Sequence, residues 1–86
     1  MDRWLNLIVV LDLKSPYVCI GRLTGESGDY YELADADLHD FRDTRATRET
    51  YVFEAARLGV RRNRARVWIR RDEVIAITGL DDIVED

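Results

Sequence analysis

The chain has 86 residues, 47% of them hydrophobic, which fits one small domain with its own core. A single cysteine excludes a disulfide framework and a single histidine excludes a His-rich metal centre, while the longest apolar run, 7–11, falls far short of the ~20 residues of a membrane span. The net charge of −4 is uneven: residues 1–41 carry eight acids and three bases, residues 42–71 ten arginines and three acids, and residues 72–86 six acids and no base, a pattern that excludes bulk nucleic-acid condensation but allows a local anion-binding patch.

Residues 5–13 read as a first strand. Leu5, Leu7, Val9, Leu11 and Leu13 share one face at a period of two, and Ile8 and Val10 make the other face apolar, so cover is expected on both sides of its middle. Lys14, Ser15 and Pro16 form a turn. Residues 17–23 are rich in strand formers, and Gly21 inside them marks a bulge or a sharp bend of the kind a small barrel needs. Residues 24–29, with Gly25 and Gly28, read as a loop, and 30–38 as a third strand with Tyr31 and Leu33 inward.

Residues 39–46 are polar and lack an apolar period. Thr47 or Thr44 then caps a predicted helix over 48–58, striped by Tyr51, Val52, Ala55, Ala56 and Leu58 and stopped by Gly59 and Val60. A basic turn over 61–64 leads into 65–70, where Ala65, Val67 and Ile69 face one way and Arg66, Trp68 and Arg70 the other. Residues 71–73 turn, 74–80 form the last strand, and 81–86 read as a solvated acidic tail. Three strands, a helix and two strands make an α+β chain, mostly β. Five short strands in so few residues imply a strongly bent sheet or a small barrel.

Two segments carry a family resemblance. Leu13-Lys14-Ser15-Pro16-Tyr17-Val18-Cys19-Ile20-Gly21-Arg22-Leu23 is an L-K turn followed by a strand reaching G-x-L. Val67-Trp68-Ile69-Arg70-Arg71-Asp72-Glu73-Val74-Ile75-Ala76-Ile77 pairs an I-R step and polar residues with an apolar strand. In this order and strand context they resemble the two motifs of the Sm-like (Lsm) family, small five-stranded barrels that assemble into rings, over residues 5–38 and 65–80. The resemblance implies a single domain over 1–86: a five-stranded SH3-like or Sm-like barrel with one helix inserted between its third and fourth strands, where the family has a variable loop. It also implies a homo-oligomer joined through strand edges, and single-stranded RNA as a ligand. In that family, residues at the places of Tyr30, Tyr31 and Arg70 make a base pocket facing the pore of the ring. Arg71 stands where the family carries glycine, and Glu32 is the nearest match to an asparagine that reads a uracil edge.

The residues themselves leave alternatives open. Arg57, Arg61, Arg62, Arg64, Arg66, Arg70 and Arg71 form a run without an acid. They suit phosphates along one edge, with Trp68 stacking a base, or pairing with acids within the chain or across a subunit boundary. A Glu32–Arg70 salt bridge is the plain alternative to a base pocket. Asp35, Asp37 and His39 share a face at a period of two and, with Asp40, suit either a divalent cation or a solvated strand end. Cys19 reads as a small buried hydrophobe and fits a reducing, cytoplasmic compartment. No leader or membrane segment is expected from residues 1–4 and beyond. The RNA-binding candidates are Tyr30, Tyr31, Trp68, Arg70 and Arg71, with no catalytic residue, metal ligand or cofactor expected, since no nucleophile–base pair is visible. The alternative function is a homo-oligomeric interaction or assembly module that meets a protein partner through the helix over 48–58 and the acidic tail.

Overall fold

A computed structural model describes residues 2–43 and 45–84. After a 3-10 turn at Asp2–Trp4 come strands β1 (Ile8–Leu13), β2 (Tyr17–Ser27) and β3 (Tyr30–Asp40), helix α1 (Arg48–Leu58), and strands β4 (Arg64–Arg70) and β5 (Val74–Gly79). All five strands are antiparallel in one sheet of order β4-β3-β2-β1-β5, with α1 between β3 and β4. The predicted architecture, mostly β with one inserted helix, is the observed one. The outermost strands β4 and β5 each have a single sheet neighbour, so both edges are open within the chain.

The bend comes from two irregularities between β2 and β3. Ile20 pairs with Asp37 and Arg22 with Ala34, so Asp35 and Ala36 together oppose Gly21. Asp35 takes the left-handed region, φ 50°, as the bulge requires. Gly21 is needed by closeness: a Cβ there would lie 2.8 Å from the Ala36 Cβ and 3.0 Å from the Ala36 Cα. A second shift follows between Leu23 and Gly25. Successive bulges increase the twist and curl the sheet over its own inner face.

That inner face is the main core: Val9, Leu11, Leu13, Cys19, Leu23, Leu33, Ala36 and Ile69 are buried together, with Tyr31 and Val67 packed against them. The outer face of β1 and β2 makes a second core, in which Val10, Val18 and Ile20 meet Val52 and Ala55 of α1. The expected cover on both sides of the first strand is therefore present, and the helix packs on its own sheet. Its N-terminus is closed by the Thr47 hydroxyl, which accepts from the Thr50 N–H at 3.1 Å. Its C-terminus is closed by Gly59 at φ 96°, whose N–H donates to the Ala55 carbonyl at 2.9 Å. Thr44, the other candidate cap, lies outside the described residues.

Three expectations need correction. Leu5 and Leu7 are 40% and 50% exposed rather than inward. Asn6 between them sits at φ 67° and breaks the period, so the strand begins at Ile8. Residues 24–27 are strand rather than loop, leaving a tight turn at Gly28 and Asp29. The segment after β5 is only partly solvated: Leu80 and Ile83 pack against the second core, while Asp81, Asp82 and Val84 are exposed.

Candidate nucleic-acid face

The β3–β4 ladder sets Tyr30 opposite Arg70 and Glu32 opposite Trp68. All four point away from the main core, because Tyr31, Leu33, Val67 and Ile69 point into it. The Arg70 guanidinium lies over the Tyr30 ring, 5.9 Å from its centroid. It also donates from Nε to Asp72 Oδ1 at 3.0 Å and from Nη2 to Asp72 Oδ2 at 2.9 Å. This fork holds the Asp72 carboxyl below the usual carboxylate range and pushes Arg70 up. Tyr30 remains 38% exposed and Trp68 48%.

Tyr31 and Arg71 belong to the other side of the strand. Tyr31 is half-buried against the main core, and the Arg71 guanidinium lies 5.7 Å from its ring centroid. Arg71 Nη1 is 3.4 Å from Glu26 Oε1. The Arg71 N–H donates to the Asp29 carbonyl at 2.8 Å, tying the turn after β4 to the β2–β3 turn. The five candidates thus gather at one end of the sheet but split into two sets. Tyr30, Trp68 and Arg70 share the outer face, and Tyr31 with Arg71 lies on the inner side.

Glu32 does not pair with Arg70, contrary to the plain alternative. Its Oε2 accepts from Trp68 Nε1 at 3.1 Å and its Oε1 from the Thr24 hydroxyl at 2.7 Å. Asp72, two residues along the chain, reaches the Arg70 fork first. The arginine run also divides. Arg62, Arg70 and Arg71 have carboxylate partners within the chain, whereas Arg57, Arg61, Arg64 and Arg66 have none among the described residues. Exposed pairs of this kind contribute about 0–1 kcal/mol, little enough for a phosphate to replace the carboxylate.

The acidic group disperses. Asp35, turned out of period by its bulge, is paired with Arg62 and Arg22. Asp37 is buried and accepts from Asn63 Nδ2 at 3.2 Å, and burial raises its pKa. His39 stacks on Tyr51 of α1 at a centroid distance of 4.0 Å, with Phe41 edge-on at 4.9 Å. Asp40 is gripped by Arg42, whose hydrogen bonds lower it to about 2. Among the described residues, no three His, Cys, Asp or Glu side chains come together as metal ligands.

Sequence reasoning missed the clasp made by Asn63. Its Oδ1 accepts from the Leu38 N–H at 3.0 Å, its Nδ2 donates to the Leu38 carbonyl at 3.0 Å, and its own N–H donates to the Ala36 carbonyl at 2.8 Å. The only sequence signal was an asparagine placed among arginines just before a strand. The clasp aligns β4 on β3 and so fixes the Tyr30–Arg70 register.

No helix among the described residues is long and apolar enough to cross a membrane. No family model and no curated protein matches the chain. Among solved structures, an Sm protein of Pyrococcus abyssii in complex with a uridine heptamer is similar to it, with a TM-score of 0.60 and 26% identity, over 91% of this chain and 89% of that one. Strand count, strand order, the glycine-centred bend and this likeness converge on the fold: the chain has an Sm-like fold, with a helix set between its third and fourth strands.

Proposed function

We propose that this chain is a non-catalytic, ring-forming, RNA-associated protein of the cytoplasm, its copies joined through the open strand edges. The observation that carries the reading is the Tyr30–Arg70 pair. A half-exposed aromatic ring with a guanidinium 5.9 Å from its centroid is a platform on which an unstacked base can sit, with the cation able to exchange its exposed Asp72 partner for the backbone phosphate. Trp68 extends that platform on the same face. Arg71 and Tyr31 offer a second, more enclosed pair beside the β2–β3 turn. The uridine heptamer held by the similar Sm protein supports single-stranded RNA as the ligand class. Here stacking leads and Glu32 is already engaged, so binding is expected to be sequence-tolerant.

The test is fluorescence anisotropy with labelled oligo-uridine and a mixed-sequence RNA, at low and moderate salt. Losing one stacked base is worth about 1–3 kcal/mol, so Tyr30→Ala should weaken binding roughly 5- to 150-fold. Arg70→Ala should weaken it and also reduce the salt slope. Wild-type protein that fails to bind at low salt, or variants that bind as wild type does, would overturn the reading.

One observation favours a second reading. Arg70 and Arg71 already have carboxylate partners, Asp72 and Glu26, so the end of the sheet is less basic than its sequence. Were RNA absent, the chain would act as an assembly module, with the helix over 48–58 offering Leu58, 78% exposed, to a protein partner. In that case Leu58→Asp, and not Arg70→Ala, would remove partner binding.

A further inference from the structure

A row of paired residues crosses the outer face of the sheet from strand to strand. Ile8 of β1 pairs with Arg22 of β2, Arg22 with Ala34 of β3, and Ala34 with Arg66 of β4. These four stand on the outer face because their chain neighbours Val9, Leu23, Leu33 and Val67 belong to the main core. The connection after α1 brings Val60 and Arg62 to this row. Ile8, Arg22, Asp35, Val60 and Arg62 together line a cavity of about 260 Å³.

The cavity has two apolar walls, Ile8 and Val60, and a charged one. Asp35 reaches it because the bulge, with φ 50° at that residue, turns its side chain out of the strand period. Its carboxylate is shared by two guanidiniums: Arg62 donates to Oδ1, and Arg22 Nη2 lies 3.6 Å from Oδ2. One carboxylate between two arginines leaves an excess of positive charge. Arg66, the next exposed cation of the row, adds to it and has no ion-pair partner among the described residues. Arg22 and Arg66 are two strands apart, about 10 Å, within the reach of two arginine side chains converging on one anion, and Ala34 between them carries only a methyl group. Asp35, Arg22 and Arg62 are all about half exposed, so their pairing is weak enough for a phosphate to replace the carboxylate.

We propose that this cavity is a second RNA contact, in which Arg22, Arg62 and Arg66 hold a backbone phosphate of the strand whose base stacks on Tyr30, displacing the Asp35 carboxylate that occupies the arginines in the free protein. The spacing along β4 supports the path. Arg66 and Arg70 lie on one face four residues apart, about 13 Å at ~3.3 Å per residue, which an extended single strand crosses in about two nucleotides. Trp68 stands midway on the same face, 48% exposed, and receives the intervening base. Glu32, the acid of that middle row, is already turned to the Trp68 indole and the Thr24 hydroxyl. Ile8 and Val60 offer the sugar an apolar surface beside the phosphate. The inference rests on the platform reading above and deepens it: the strand gains a direction, from Tyr30 toward the start of β4, and the segment that follows the inserted helix gains a part in binding.

The test is fluorescence anisotropy with labelled hexauridine from low to moderate salt, with circular dichroism and light scattering as controls that each variant keeps the wild-type fold and mass. Arg66→Gln breaks no ion pair of the described residues, and it should weaken binding about tenfold and lower the salt slope by about 0.7, the share of one phosphate contact on a single strand. Arg62→Gln should act in the same direction. Asp35→Asn removes the competing charge, and asparagine tolerates the left-handed backbone, so this variant should bind about threefold tighter or more. A purely structural role for the Asp35 pairs would not produce that gain. Tyr30→Ala reports on the platform alone. Wild-type binding that Tyr30→Ala weakens, while the Arg62, Arg66 and Asp35 variants keep the wild-type affinity and salt slope, would overturn this proposal and leave the platform reading standing. Hexauridine that fails to bind the wild type at low salt would overturn both.

Discussion

Gly21→Ala isolates the feature on which the curvature depends. The new Cβ would lie 2.8 Å from the Ala36 Cβ, 3.0 Å from its Cα and 3.3 Å from the Ala34 carbonyl oxygen. None of these atoms ends a flexible side chain, so only a backbone shift between β2 and β3 relieves the clash. Overpacking of this kind costs about 1–3 kcal/mol. The stiffer unfolded chain returns about 0.4–1 kcal/mol. The net loss is about 1–2 kcal/mol, which for a domain of this size lowers Tm by about 4–8 °C per kcal/mol. Urea unfolding at one protomer concentration reads the loss, since assembly would shift the midpoint by mass action. Ala36→Gly in the same chain removes the closest atom, so the double variant should be more stable than the two single losses predict, by at least ~0.5 kcal/mol. A Gly21→Ala midpoint equal to or above wild type would refute the argument that closeness, and not chance, places glycine at the bend.

Three further outcomes are expected. Thr47→Ala removes the hydroxyl that accepts from the Thr50 N–H and should cost about 1 kcal/mol in urea unfolding, with the slope unchanged. Asp37→Asn should raise Tm at pH 7. Burial raises the folded-state pKa of Asp37 above 3.8, so its contribution is favourable at low pH and is lost as pH rises through the folded value; the gap between variant and wild type should close on acidification. Cys19 is fully buried and its thiol is pushed up to about 12 by burial, so a thiol reagent at pH 8 should label it only at the rate of unfolding.

Much of the fold was legible because local chemistry and burial agree. Thr47 and Gly59 bracket the helix in the sequence as they do in space, and the double apolar face of 8–11 announced cover on both sides. The errors fall where long-range pairing overrides local preference. Glu26, Ser27, His39 and Asp40 are poor strand residues, yet β2 and β3 carry them because each finds a ladder partner. Leu5 and Leu7 match the strand period in the sequence but not in space, since the left-handed Asn6 turns the chain between them. The candidate site was legible as a set of residue types, not as an arrangement. Tyr30 and Arg70 are separated by the whole inserted helix, and their register depends on the Asn63 clasp that aligns β4 on β3. The alternation of a strand already set Tyr31 inward and Tyr30 outward, but nothing in the local sequence signals the clasp, so the pairing of Tyr30 with Arg70 became visible only with the register in place.

The most direct test of the central claim, an RNA-associated ring on an Sm-like fold, is light scattering on purified protein with the 260/280 nm absorbance ratio read across the same peak. The account predicts a mass of several 10.0 kDa protomers with a raised ratio that falls after ribonuclease treatment. A 10.0 kDa monomer with the ratio of protein alone, and no binding on addition of oligo-uridine, would contradict it.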